Sequence, residues 1–138
     1  MERLPPSLGR LAFFEGADIA ALARAEAESR TMEVAAGGTV LDFDCPSTEV
    51  RVVLRGGPLR VLMRTSGGRE KIIAEVGAGA FVGELAAFAG PAAPPSAGIR
   101  AFHRALIAVV PGEVFVDLIL ASPPLAQRLI TVLAERLR

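Results

Sequence analysis

The sequence predicts an α+β fold that is mainly β: an antiparallel β-roll (jelly roll) flanked by an N-terminal helix and C-terminal helices. Three observations lead there. Between Val34 and Val110, short β-rich runs alternate with turn signals, the spacing of a roll or barrel. The stretches on either side carry apolar residues at helical spacing. The 138 residues are 51% hydrophobic, enough for one core, and a chain of this size buries roughly two thirds of its unfolded surface. No internal repeat interrupts the pattern, so residues 1–138 are expected to form a single domain.

Ahead of the first helix, Leu8, Leu11, Phe13 and Phe14 suit a short apolar turn that docks on the domain. From Ala17 to about Glu33 the pattern is helical, with Asp18 near its start and Ile19, Leu22 and Ala23 at helical spacing. Gly37-Gly38 breaks the chain before Thr39-Val40-Leu41, and the β-rich run Val50–Leu54 leads to a bend or bulge at Gly56-Gly57-Pro58. Alternation along the next strand turns Leu59, Val61 and Met63 one way and Arg60 and Arg64 the other. Ser66-Gly67-Gly68 reads as a hairpin turn into Lys71–Ala74, and Ile99–Val110 supplies the last strands. Glu113–Leu120 is predicted helical and is stopped by Ser122-Pro123-Pro124. Leu125 opens a longer helix with Leu125, Leu129, Val132, Leu133 and Leu137 along one stripe.

Charge and special residues exclude several functions. Fifteen basic residues balance fifteen acidic ones, which leaves no net field to draw in nucleic acid or an anionic membrane. Cys45 is the single cysteine; no internal disulfide can form, and a reducing, cytoplasmic compartment is expected. The N-terminal stretch lacks the basic start and apolar run of a signal peptide. The most apolar region, Val76–Pro95, is interrupted by Glu84 and rich in Gly and Pro, so no membrane insertion is expected. His103 alone cannot build the multi-ligand metal centre of a jelly-roll enzyme. There is no nucleophile elbow, no P-loop and no pair of carboxylates on a shared face. The sequence therefore predicts a protein that is not an enzyme.

The most informative stretch runs from Phe81 to Ala101. Gly77-Ala78-Gly79-Ala80-Phe81-Val82-Gly83-Glu84-Leu85 resembles the G-x-G-D-x-F-G-E-L of cyclic nucleotide-binding domains, with Ala80 for the usual Asp and Val82 for the usual Phe. Val53-Leu54-Arg55-Gly56 looks like that family's V-L-x-G, and Gly37-Gly38 sits where it has a Gly before its first strands. The tail, from Val109-Val110-Pro111 through Leu133-Ala134-Glu135-Arg136-Leu137, is similar to its closing helices. The order of these fragments, more than any one of them, makes the chain resemble the family of the catabolite activator protein and the protein kinase A regulatory subunits.

The resemblance implies a regulatory module that binds a cyclic nucleotide, such as cyclic AMP or cyclic GMP, or a related phosphorylated ligand. It implies that Glu84 accepts a hydrogen bond from the ribose 2′-hydroxyl and that Gly83 lets the backbone approach the ligand. It also implies that backbone N–H groups around Leu85-Ala86 and Ser96-Ala97 cradle the phosphate, with the Ser96 hydroxyl as a further donor. Glu84 also suits the simpler role of a carboxylate at a helix start. The defining departure is Pro95, which stands where the family places the Arg that pairs with the phosphate. Losing one charged hydrogen-bonding partner weakens binding roughly ten- to several-hundredfold. Arg60, Arg64, Lys71 and Arg100 are the candidate substitutes, against the plainer alternative of solvated surface charges.

The resemblance leaves two roles for the last helix, closing over the ligand or pairing with a second copy, while its stripe alone would suit packing on its own roll. No helix-turn-helix follows, so direct DNA binding is not expected. Output would pass to an attached or partner effector. The second function consistent with Pro95 is a degenerate fold without nucleotide, serving as a protein-interaction or dimerisation domain.

Overall fold

The computed structural model describes residues 7–90 and 97–137. Two short 3-10 turns, Leu8–Arg10 and Ala12–Phe14, bury Leu8 and Phe14. Helix α1 (Ile19–Glu28) follows, capped by the Asp18 carboxylate, which accepts from the Ala21 N–H at 2.9 Å. It ends five residues before the predicted limit. The reason is tertiary: β1 (Arg30–Val34) pairs antiparallel with a strand more than seventy residues later, and sheet pairing overrides the local helical pattern.

The remaining strands are β2 (Thr39–Leu41), β3 (Val50–Gly56), β4 (Leu59–Arg64), β5 (Glu70–Val76), β6 (Phe81–Val82), β7 (Ala97–Ala101) and β8 (Ala105–Val110). They form two antiparallel four-stranded sheets, ordered β1-β8-β3-β6 and β2-β7-β4-β5. The predicted roll is therefore present, closed by long-range pairing of β3 with β8 and of β4 with β7. The predicted hairpin joins β4 to β5, with the Thr65 N–H donating to the Arg69 carbonyl at 2.7 Å. The Gly56 region is bulged as expected: the β3–β8 register shifts between Val53 and Arg55.

Two cores result. One lies between the sheets and contains Val53, Leu59, Val61, Ile99, Ile107 and Val109. The other lies between the outer face of the first sheet and the helices, where Val50, Val52 and Phe81 meet Phe115, Leu118 and Leu125. Helices α2 (Glu84–Ala89), α3 (Gly112–Ala121) and α4 (Pro123–Arg136) complete the chain. The Ser122 hydroxyl sits at the 114° bend between α3 and α4 and accepts from the Asp18 N–H at 2.9 Å. Among the described residues no single helix is long and apolar enough to cross a membrane.

The predicted stripe of the last helix is only half used. Leu125 and Leu129 are buried and Leu133 packs against the same core, but Leu137 is 88% exposed. Beyond about Leu133 the helix leaves the hydrophobic layer, and its last turn is held by charge.

Candidate functional site

The site begins where β6 turns into α2. Gly83 has φ of 104°, a left-handed conformation, and a Cβ there would lie 2.5 Å from the Glu49 carbonyl oxygen. Only glycine satisfies both conditions. It brings the cassette into contact with the start of β3 and aims the next residue, Glu84, inward.

Glu84 is 3% exposed. A carboxylate so buried needs a partner, and it has one from the far end of the chain: Nη1 of Arg136, in the last turn of α4. Nη2 of the same guanidinium donates to the Phe81 carbonyl at 2.6 Å. One arginine thus ties α4 to both the strand before Gly83 and the helix after it. Beside this tie lies a cavity of about 430 Å3, walled by Val61 and Ile73 from the second sheet and by Val82, Glu84 and Arg136.

The predicted site residues separate. Gly83, Glu84 and Leu85 line the cavity. Ala86 lies one residue further along α2, half-buried, and is not among the cavity walls. Ala97 opens β7 opposite Met63 and packs against the core between the sheets. Ser96 and Pro95 lie outside the described residues.

The proposed cationic substitutes are engaged elsewhere or exposed. Arg60 is paired with Glu75 at 3.0 Å and its guanidinium lies 3.7 Å from the Phe102 ring centre. Arg100 pairs with Glu70 at 2.7 Å. Arg64 covers the Phe43 ring, 3.9 Å from Asp44. Lys71 is exposed. These are surface charges, as the plainer alternative has it. Two arginines stand out only in the structure: Arg136, in the tie to Glu84, and Arg51, which is 5% exposed. Arg136 gave no local signal beyond lying off an apolar stripe. Arg51 did give one, as a lone charge inside the apolar run Val50–Leu54.

The structure is thus an antiparallel two-sheet roll closed by helices, with a Gly-Glu turn beneath its C-terminal helix. The sequence profile of the cyclic nucleotide-binding domain matches residues 31–122, and the chain belongs to that family. Solved structures agree on the fold. The N-terminal domain of a transcriptional regulator from Streptomyces coelicolor A3(2) is 26% identical with a TM-score of 0.65, over 95% of this chain and 90% of that one. A mutant regulatory subunit of a cAMP-independent protein kinase A from Trypanosoma brucei, bound to cAMP in its A site, is 22% identical with a TM-score of 0.71. It is matched over 91% of this chain, which spans 44% of that subunit's length. The catabolite activator protein of Thermus thermophilus is 23% identical with a TM-score of 0.71, over 91% of this chain and 58% of its own. No curated protein matches the chain by sequence.

Proposed function

We propose that this chain is a ligand-sensing regulatory module: a cyclic nucleotide or related phosphorylated ligand enters the cavity beside Glu84, and α4 transmits its presence. The observation that supports this is the Glu84–Arg136 tie. It joins Glu84, the carboxylate that the resemblance assigns to a ribose hydroxyl, to the helix that would carry the signal. A ribose hydroxyl donating to Glu84 competes with, or adds to, the Arg136 contact. Occupancy thereby changes what holds the end of α4, which is the differential interaction that a two-state signal requires.

Thermal unfolding tests it directly, with cyclic AMP and cyclic GMP each titrated to about 1 mM. A micromolar site stabilises the fold by roughly 4 kcal/mol at a thousandfold excess, a shift on the order of ten degrees for a domain of this size. Glu84→Ala should abolish the shift. No shift for either nucleotide would remove the nucleotide reading.

A second reading has its own support. Pro95 stands where the family has its phosphate-pairing Arg, while Leu85 on α2, Ile130 midway along α4 and Leu137 at its C-cap are exposed apolar residues. On this reading the fold is a dimerisation or effector-docking unit with no nucleotide. An oligomer that dissociates when Ile130 and Leu137 are made polar, without any nucleotide response, would favour it.

A further inference from the structure

The absent cassette Arg raises the question of which group meets a ligand's negative charge, and Arg51 is the one the geometry singles out. It is 5% exposed. Across the sheet it faces Val109 of β8 and Val82 of β6, both of which pack in the core between the sheets. Directly opposed residues of antiparallel strands share a face, so Arg51 points into the roll. Arg30 of β1 also faces Val109 and shares that side.

Arg51 is poorly paired for a charge so buried. Nη1 reaches the Ser47 hydroxyl at 3.2 Å and the Glu49 carbonyl at 3.5 Å, and Nη2 lies 3.5 Å from the Glu49 carboxylate. These are long contacts. Glu49 is instead committed to Arg30, at 2.6 Å. Among the described residues, the Arg51 Nε is the buried side-chain nitrogen or oxygen left with no partner. Arg30, with its side chain 62% exposed, holds the Glu49 carboxylate at the edge of the roll, which leaves Arg51 as a loosely paired buried cation. Burial pushes the Arg51 pKa below its ordinary range, and Arg30 pushes the same way, opposed only by Glu49. Arginine does not escape this by losing its proton, so a buried, loosely held cation persists where an apolar residue would cost less.

Arg51 is not itself a cavity wall; it stands behind the wall and adjoins it through its neighbours. Val82, its cross-strand neighbour, lines the cavity. The Glu49 carbonyl that Arg51 contacts is the atom a Cβ on Gly83 would strike. The guanidinium therefore lies beside the turn that delivers Glu84.

Resting on the reading that the cavity takes a phosphorylated ligand, we propose that Arg51 is the phosphate-pairing cation of this domain. It replaces from β3 the arginine that Pro95 displaces from the cassette, with Glu49 and Arg30 setting its availability. A planar guanidinium with free donors is suited to a phosphodiester or phosphoryl oxygen. Glu49 is the competitor such an anion must overcome.

Calorimetric titration of the full chain separates the contributions, with cyclic GMP, guanosine and pyrophosphate as probes. Cyclic GMP and guanosine share base and ribose and differ in the phosphate. Arg51→Gln should weaken cyclic GMP by roughly tenfold or more while leaving guanosine within about twofold. Glu49→Gln, which releases both arginines, should tighten cyclic GMP and pyrophosphate several-fold, by about the reverse of the competition it removes. Equal losses for cyclic GMP and guanosine in Arg51→Gln, or weaker anion binding in Glu49→Gln, would overturn the assignment. If Arg51→Gln does not fold, the sign of the Glu49→Gln effect decides. If wild-type protein ignores cyclic GMP, the nucleotide reading fails separately, and pyrophosphate binding strengthened by Glu49→Gln would keep the anion site. No binding of either anion would end it.

Discussion

The Glu84 carboxylate and the Arg136 guanidinium, 52 residues apart in sequence, form an ion pair in the wall of the cavity. The acid is almost wholly buried; the base is about 39% exposed along its side chain. This asymmetry fixes what each substitution should do.

Arg136→Ala leaves a buried carboxylate without its cation and should cost about 1–3 kcal/mol. Glu84→Gln removes the buried charge itself and should cost less. In the double variant part of the Arg136→Ala loss should return, because the uncompensated charge is gone. Denaturant unfolding of the four proteins reads the coupling; strictly additive losses would mean that the pair contributes nothing.

Gly83→Ala combines a left-handed backbone angle with a clash against the Glu49 carbonyl. It should destabilise by roughly 1–3 kcal/mol, a fall in Tm on the order of several degrees. An unchanged Tm would mean that the Gly83 turn and the Glu49 backbone move apart at little cost.

Along α4 the substitutions should divide by position. Leu125→Ala in the core should cost about 2–5 kcal/mol, whereas Leu137→Ala should stay within about 0.5 kcal/mol. Ile130→Glu with Leu137→Glu tests assembly: sedimentation would show a dimer becoming a monomer only if this exposed face of α4 is an interface between copies.

The Glu49 carboxyl is held below the usual carboxylate range, chiefly by its hydrogen bond from Arg30. A carboxyl lowered on folding contributes stability that is full above its ordinary pKa and is lost as pH falls through the lowered value. The stability difference between wild type and Glu49→Gln should therefore be constant near neutrality and shrink in acid below the ordinary 4.5. The charged groups facing Glu49 are Arg30 and Arg51, and the nearby Ser47 hydroxyl accepts from the Glu49 N–H and from Arg51. A difference independent of pH would show that the carboxylate charge is not what Arg30 holds.

Pro95→Arg restores the family's phosphate partner in sequence. On the sensor reading it should raise cyclic AMP affinity by roughly tenfold or more. Affinity left unmeasurable would favour the interaction-domain reading.

Strands, turns and the cassette were legible because their signals are local. Alternation in Leu59–Arg64, the glycines at Ser66-Gly67-Gly68 and the Gly-Glu-Leu behind Phe81 each constrain only a few neighbouring residues. From these followed the roll and the flanking helices; of the residues named for the site, Gly83, Glu84 and Leu85 lie at one cavity, whereas Ala86 and Ala97 are not among its walls. The tertiary structure alone decided where α1 stops, because β1 is claimed by β8. It also decided which charges meet. The suggested cations Arg60, Arg64 and Arg100 pair or stack away from the cavity walls, while Arg136 reaches Glu84 and Arg51 turns inward. The inward turn of a strand residue depends on register, which a slip of one position would reverse. The meeting of Glu84 with Arg136 depends on how α4 docks. Neither is encoded within the span of a few residues over which periodicity speaks.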